Sequence, residues 1–105
     1  MPDPVVVTAY FRPLQGQHDR VVEALRPAIA AVHEEPGCEL YAIHDAPDGT
    51  ILMIEKWTST DELDEHSKGE AVRVLNAALE GLLTSPVEVS RLTPLPAGTA
   101  KQGQL

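Results

Sequence analysis

The side chains best suited to chemistry in this sequence are its four histidines, His18, His33, His44 and His66. A histidine titrates near neutral pH, so it can accept a proton from a reacting group or return one to it. None of the four lies in an HxH or HExxH pattern, which gives little support to a catalytic metal. We expect His18 and His33, near the ends of a predicted helix, to face solvent.

His66 is the strongest candidate for a catalytic base, because it lies on a predicted short helix beside the apolar Leu63. The alternative is a structural histidine that caps the helix end or bonds a neighbouring strand. His44 lies on a predicted strand and could point into a substrate pocket. A partly buried His44 with one backbone partner is the favoured alternative for that residue.

Glu55 and Trp57 are two residues apart on a predicted strand, so they share one face of it. A carboxylate on an apolar face needs a partner, and Glu55 could orient His66 as the outer group of a relay. The favoured alternative is a structural ion pair with Arg12 or Arg91, which could form across a dimer interface. Trp57 could give an aromatic ligand a flat apolar wall, or simply belong to the core.

Three further residues are candidates for substrate binding. Tyr41, on a predicted strand, has a phenol that could bond a substrate carbonyl, although packing in the core is the favoured role. Arg73 and Asn76 are three apart on a predicted helix and therefore lie near one another. They could bind a substrate oxygen, but exposure to water is the default for both.

Composition narrows the class of protein. The chain has 105 residues and a formal net charge of −8, which indicates one acidic domain with a small core. Without a basic patch, binding to nucleic acid or to anionic membranes is disfavoured. The single cysteine, Cys38, cannot form an internal disulfide and reads as a small buried residue. With no signal peptide or apolar membrane span, the sequence predicts a cytoplasmic protein.

The hydrophobic periodicity predicts an α+β domain with the order β-α-β-β-α-α-β, the split βαβ plan of a ferredoxin-like fold with a four-stranded antiparallel sheet. A kink or break is expected at Pro27, whose ring removes a backbone donor. A capping box from Ser59 to Glu62 begins the second helix. The predicted strands are 5–12, 38–46, 50–58 and 87–92, and the predicted helices are 18–35, 59–68 and 70–83. The predicted domain covers residues 1–92. The tail 93–105 is predicted to be extended or disordered.

Two strands predict self-association. Val5 to Val7 and Ile51 to Ile54 are apolar at consecutive positions, so both faces of these strands should be covered. One layer of helices covers only one face of the sheet. We therefore predict a homodimer in which two sheets pack face to face or close into a barrel.

Two segments carry a resemblance to a known family. The residues Glu35 to Cys38, followed by Tyr41, resemble the "PGC…Y" stretch of the antibiotic biosynthesis monooxygenase (ABM) family. Met53 to Trp57, followed by Leu63 and His66, resemble its "E-x-W…L-x-x-H" signature. The resemblance covers roughly residues 5 to 92. It implies a dimeric ferredoxin-like α/β barrel.

Several members of that family oxidise quinols or aromatic polyketides with molecular oxygen and no metal, flavin or haem. The resemblance therefore implies a monooxygenase without a cofactor, acting on a small aromatic substrate and O2. His66 would be the base or substrate anchor and Glu55 its orienting partner, while Trp57 and Tyr41 would form the pocket wall.

The chain departs from the family pattern at two places. Many members carry a second histidine where this chain has Ala71, which leaves open a non-catalytic module that binds small molecules. The haem-degrading members use residues that Ala9, His66 and Asn76 do not match, so haem degradation is not expected. A small-metabolite isomerase is the remaining alternative, although no anion site is evident.

Overall fold

The computed structural model describes residues 3–105, which form four strands and three helices. The elements are β1 (Val5–Phe11), α1 (His18–Val32), β2 (Cys38–Asp45), β3 (Ile51–Trp57), α2 (Thr60–Ser67), α3 (Glu70–Leu79) and β4 (Glu88–Leu92). The predicted element order is confirmed, and the fold is α+β and ferredoxin-like.

The strands form one antiparallel sheet in the order β2-β3-β1-β4. The register across the sheet decides which side chains can meet. Val7 on β1 pairs with Glu55 on β3 and, on its other side, with Arg91 on β4. Tyr41 on β2 pairs with Glu55 from the opposite direction. Four strands therefore bring Tyr41, Glu55, Val7 and Arg91 into one row.

The three helices pack on the face of the sheet that carries this row. The strand residues at alternate positions on this face are buried, as period-two alternation requires. Val7, Met53 and Trp57 form the centre of the core with Val21 and Leu25 of α1, and each of these is at most 1 % exposed. Burial of these apolar side chains is the main contribution that holds α1 on the sheet.

Helix α1 runs through Pro27 without a break, so the predicted break at this proline is absent. Proline at this position leaves the carbonyl of Glu23 without its helical donor. Both Pro27 and Glu23 lie on the exposed side of the helix, where water can bond that carbonyl. The buried side of α1, including Leu25 and Ala28, keeps its packing.

The helix ends differ from the predicted ones. Helix α1 ends at Val32, and the next residues form turns in which Glu35 N–H donates to the Val32 carbonyl. Helix α3 ends at Leu79, and a turn with a left-handed Gly81 follows. Both predicted ends were three or four residues too long, since apolar residues such as Leu82 continue to pack on the core from the turn.

The start of α2 is fixed by the predicted N-cap. Ser59 Oγ accepts a hydrogen bond from the Glu62 N–H at 3.3 Å. The Glu62 carboxylate accepts from the hydroxyls of Thr58 and Ser59. It also lies against Gly37, whose φ of 82° is in the left-handed region. These contacts join the turn before β2 to the helix that carries His66.

The other face of the sheet carries no helix. Its side chains at alternate positions include Leu40, Ala42, Leu52 and Ile54, all only partly buried. We call these four residues the open face. Residues 93–105 extend from the end of β4 and make a turn at 99–103, and Lys56 Nζ donates to the carbonyl oxygen of Leu105 at 2.5 Å. Among the helices that residues 3–105 form, none has the length and apolar character needed to cross a bilayer.

Candidate active site

A cavity of about 550 Å³ lies between the helix-covered face of the sheet and the helices α2 and α3. Its volume falls in the range of small-molecule sites, roughly 300–1,000 Å³. Most of its wall is apolar, from residues such as Val7, Leu63, Leu75 and Leu79. The polar or ionisable side chains in the wall are Tyr41, Glu55, His66, Ser67, Asn76, Glu80 and Arg91.

His66 lies in this wall, and three neighbouring side chains hold its ring in place. Its Nδ1 is 2.8 Å from Oε1 of Glu35, in the turn after α1. The ring lies at 4.5 Å from the Trp57 ring, between centroids, and Tyr41 meets it edge-on at 5.4 Å. The residue is only 7 % exposed. Two aromatic neighbours and one carboxylate therefore fix the imidazole in one orientation.

The second ring nitrogen of His66, Nε2, makes no hydrogen bond with any of residues 3–105. It is also not among the fully buried polar atoms of those residues that lack a partner. It therefore retains contact with open space. If Nδ1 carries the proton that Glu35 accepts, Nε2 presents a lone pair, which is the arrangement a general base needs.

Glu55 is a buried carboxyl group, with 5 % of its surface exposed. Its Oε1 accepts a hydrogen bond from the indole Nε1–H of Trp57 at 2.9 Å. Burial raises the pKa of Glu55, and the Trp57 hydrogen bond and the nearby charges of His66 and Arg91 oppose that rise. The acid form is therefore retained to a higher pH than in an exposed glutamate.

Tyr41 adds a phenol to the same wall and is 4 % exposed. Burial strongly raises the pKa of its hydroxyl, and the charges of Glu55 and Glu35 act in the same direction. Tyr41 therefore stays protonated across the physiological range. It can donate a hydrogen bond but cannot act as a base.

The family follows from comparison with known proteins. Residues 4–78 match the model of the family described as antibiotic biosynthesis monooxygenase. That match spans well over half of the chain. The chain belongs to the antibiotic biosynthesis monooxygenase family.

Individual ABM relatives support the same conclusion. A curated protein of Mycobacterium tuberculosis, named "Putative monooxygenase Rv0793", is 32% identical over 101 residues, which cover 95% of this chain and all of that protein. The solved structure of Rv0793 superposes with a TM-score of 0.84 at 31% identity, covering 92% of this chain and 100% of the other. PA3566 from Pseudomonas aeruginosa superposes with a TM-score of 0.81 at 26% identity, covering 90% and 97%.

The structure gives the role predicted for Glu55 to a different carboxylate of this ABM chain. The orienting contact to His66 comes from Glu35, whereas the hydrogen bond of Glu55 goes to Trp57. The predicted relay from Glu55 to His66 is therefore wrong as a direct hydrogen bond. Within the chain Glu55 pairs with neither predicted arginine, since Arg12 pairs with Glu88 and Arg91 pairs with Asp64, and an ion pair across a dimer interface stays a prediction.

Glu35 was missed as a site residue, although it begins the Glu35 to Cys38 segment that carried part of the resemblance. Its role depends on a turn that brings it to a residue 31 positions further along the chain. No local sequence pattern predicts a contact between two residues so far apart in the chain. The prolonged helix predicted through Glu35 would have pointed this side chain elsewhere.

Two predicted binding residues lie away from the cavity. His44 is exposed on the open side of β2, with its Nδ1 at 3.2 Å from the Leu52 carbonyl oxygen, so its placement in a pocket was wrong. Arg73 is exposed on α3 and paired with Glu70, and it does not line the cavity. Asn76, one turn away, does line it.

The remaining candidates are placed as follows. Trp57 is fully buried and contacts His66, so it forms the layer behind the cavity wall and not the wall itself. His18 is bonded to Asp19 and Asp45 on the surface, and His33 is exposed with its Nε2 near the Tyr41 carbonyl. Within residues 3–105 no group of three or more His, Cys, Asp or Glu side chains is arranged to hold a metal ion.

Proposed function

We propose that this chain is a cofactor-independent monooxygenase that oxidises a phenol or quinol with O2, and that His66 accepts the proton of the substrate hydroxyl. Membership of the ABM family supports the reaction class. The observation that carries the site assignment is the 2.8 Å contact between His66 Nδ1 and Glu35 beside an apolar cavity. It leaves Nε2 as the proton acceptor.

The chemistry needs no external reductant, because the substrate supplies the electrons. His66 removes the hydroxyl proton, and the phenolate passes one electron to O2. The resulting superoxide and substrate radical combine at a ring carbon that bears hydrogen, which forms a C–O bond and a hydroperoxide. Loss of that carbon's hydrogen as a proton and cleavage of the O–O bond then leave a quinone and one water. One oxygen atom of O2 stays in the product and the other leaves as water.

The rest of the cavity suits these steps. Apolar walls disfavour bulk water, which strengthens the hydrogen bonds that fix a phenol. Tyr41 can donate to a substrate carbonyl or to the developing quinone oxygen. Glu35 is a positioning residue, since it reaches the substrate only through His66.

The homodimer belongs to this proposal. The open face presents adjacent aliphatic side chains at Leu40, Ala42, Leu52 and Ile54 that no helix covers. A second sheet packed on this face would bury them and stiffen β3, the strand that carries Glu55 and Trp57. The cavity itself lies on the opposite side of the sheet, so each protomer would keep its own site.

A non-catalytic module that binds small molecules is the second candidate. It is favoured by Ala71, half-buried where many ABM members have a second histidine. A ligand would then occupy the same cavity without turnover. Thermal stabilisation by phenols with no oxygen consumption is its signature.

The test is oxygen consumption by the metal-stripped protein with a panel of hydroquinones and anthrone-like phenols. We expect uptake in the wild type and a fall of about 10²–10⁴-fold in His66→Ala, the range for loss of a general base. Glu35→Gln should lower kcat with little change in KM, because it disturbs the orientation of the base and not the substrate contacts.

His44→Ala is the matched control, since it removes an exposed histidine outside the cavity and should leave the rate unchanged. Absence of uptake by the folded wild type across the whole panel would contradict the monooxygenase proposal. Full activity in His66→Ala would contradict the site assignment alone.

A further inference from the structure

The cavity opens at the β4 edge of the sheet. All five residues of β4 are exposed, and Val89, which faces the cavity, is 61 % exposed. The helices therefore stop short of this strand. A ligand that extends beyond the buried part of the cavity reaches solvent along Val89 and Arg91.

Arg91 is the one arginine or lysine among the residues that line the cavity. It projects from the helix-covered face of β4 and pairs with Asp64 on α2, with 2.8 Å between Nη2 and Oδ1. The side chains of Arg91 and Asp64 are 44 % and 48 % exposed, so their ion pair lies at the solvent-exposed mouth of the cavity. Exposed pairs of this kind contribute little to folding and exchange partners readily.

The separation of the strand positions that carry Glu55 and Arg91 follows from the sheet. Glu55 and Arg91 flank Val7 in the same row, so they are two strand spacings apart, roughly 10 Å between backbones. At one end are Glu55, Tyr41 and His66, which suit a hydroxyl group. At the other end is a guanidinium, which suits a carboxylate in bidentate geometry.

We propose that Arg91 is a specificity residue that selects aromatic substrates with a carboxylate at the end opposite the reacting hydroxyl, and that this carboxylate displaces Asp64. In the absence of substrate, Asp64 binds the Arg91 guanidinium and therefore competes with the substrate carboxylate for it. This inference rests on the proposed function only in taking the cavity as the substrate site. It predicts effects of opposite sign for the two members of one ion pair.

The experiment is calorimetric titration under nitrogen, where binding is measured without turnover. The probes are 6-hydroxy-2-naphthoate and its neutral amide, 6-hydroxy-2-naphthamide, which have nearly the same size and the same hydroxyl. The wild type should bind the carboxylate about tenfold more tightly, as expected for a charge-assisted hydrogen bond. That preference should fall as salt concentration rises, because the mouth is exposed.

Arg91→Gln should abolish the preference for the carboxylate, whereas Asp64→Asn should increase it about threefold to tenfold. Neither should change binding of the amide by more than about twofold. Arg12→Gln is the matched control, since it removes the Arg12–Glu88 ion pair, neither member of which lines the cavity. It should leave the preference at its wild-type value.

Equal loss of affinity for both probes in Arg91→Gln, or weaker carboxylate binding in Asp64→Asn, would overturn the inference. So would equal binding of the two probes by the wild type. These results are independent of oxygen consumption. A protein that shows the charge preference but no uptake would fail the proposed reaction and keep this specificity.

Discussion

Glu35 and Glu55 show how one residue type takes two roles through its surroundings. The Glu35 side chain is 23 % exposed and faces an imidazole that can carry positive charge. Glu55 is nearly sealed and faces a neutral indole donor. Burial raises the pKa of the Glu55 carboxyl group, whereas Glu35 is placed to accept a hydrogen bond from Nδ1 of His66. One glutamate therefore holds the imidazole in position, and the other accepts from the indole behind it.

Replacing Glu55 should alter stability in a way that depends on pH. The pKa of Glu55 is raised above its ordinary value of 4.5 by burial, so the folded state holds this proton more tightly than the unfolded state. As pH rises above 4.5, the unfolded state loses the proton first, and the folded state is progressively disfavoured. Glu55→Gln removes this effect and keeps an acceptor for Trp57.

We therefore expect Glu55→Gln to match the wild type in Tm near pH 4 and to exceed it increasingly towards neutral pH. Thermal unfolding followed by circular dichroism between pH 4 and pH 8 measures the difference. Glu80→Gln, the same change at an exposed residue of the cavity wall, is the control. A Glu55→Gln variant less stable than the wild type at pH 7 would refute the stated sign.

For individual residues, the sequence indicated which side chains could act in the site better than it indicated which residues they contact. Glu55 could be selected because a carboxyl group lies on a largely apolar strand, and Tyr41 and His66 because they belong to the segments that resemble the ABM family. The hydrogen bond between Glu35 and His66 could not be predicted, because it depends on the path of the turn between Val32 and Cys38.

Helix α2 carries the proposed base, His66. Contacts with residues that precede the helix fix the position of its first turn. Ser59 caps it, and the Glu62 carboxylate in its first turn packs against Gly37 in the turn before β2. A β-carbon at Gly37 would lie 2.5 Å from Glu62 Cδ, so the Glu62 carboxylate would have to move away and give up the hydrogen bonds it accepts from Thr58 and Ser59. Hydrogen in place of a side chain at Gly37 therefore lets that turn approach α2.

Gly37→Ala should consequently cost more than the backbone strain alone. Both Gly37 and Gly49 have φ in the left-handed region, and a β-carbon at Gly49 meets nothing within 4 Å. Gly49→Ala should lose about 1–2 kcal/mol in free energy of unfolding, the usual cost of that conformation. Gly37→Ala should lose more, and urea denaturation of both variants gives the comparison. Equal losses would show that the contact with Glu62 has no energetic weight.

The elements themselves could be predicted well from pattern. Alternation identified the strands, and the Ser59 capping box placed α2 correctly because both signals are local. Pro27 was misjudged, since a solvent-facing proline leaves the buried side of α1 intact. The ends of α1 and α3 were misplaced because apolar periodicity continues into turns that also pack on the core.

For the whole molecule, the open face is the surface through which we expect two copies to associate. Ile54 and Leu52 lie side by side on it without cover from a helix. We expect the wild type to be a dimer by size-exclusion chromatography with light scattering at micromolar concentration. Ile54→Lys should produce a folded monomer, because a buried unpaired charge at a sheet interface is costly.

Val74→Lys provides the control for that change. Val74 is 51 % exposed on α3, on the opposite side of the sheet, and the lysine should leave the dimer intact. A monomeric wild type would contradict the predicted homodimer. A dimer that survives Ile54→Lys would move the interface away from the open face.

The contact between Trp57 and His66 has a spectroscopic consequence. Trp57 is the single tryptophan among 105 residues, so the intrinsic emission of the protein comes from the layer directly behind the proposed base. Its indole is bonded to Glu55, and its ring lies 4.5 Å from the imidazole. An imidazolium quenches a neighbouring indole more strongly than the neutral ring does. The protein therefore carries its own unlabelled optical probe, which reports on the immediate surroundings of the proposed base.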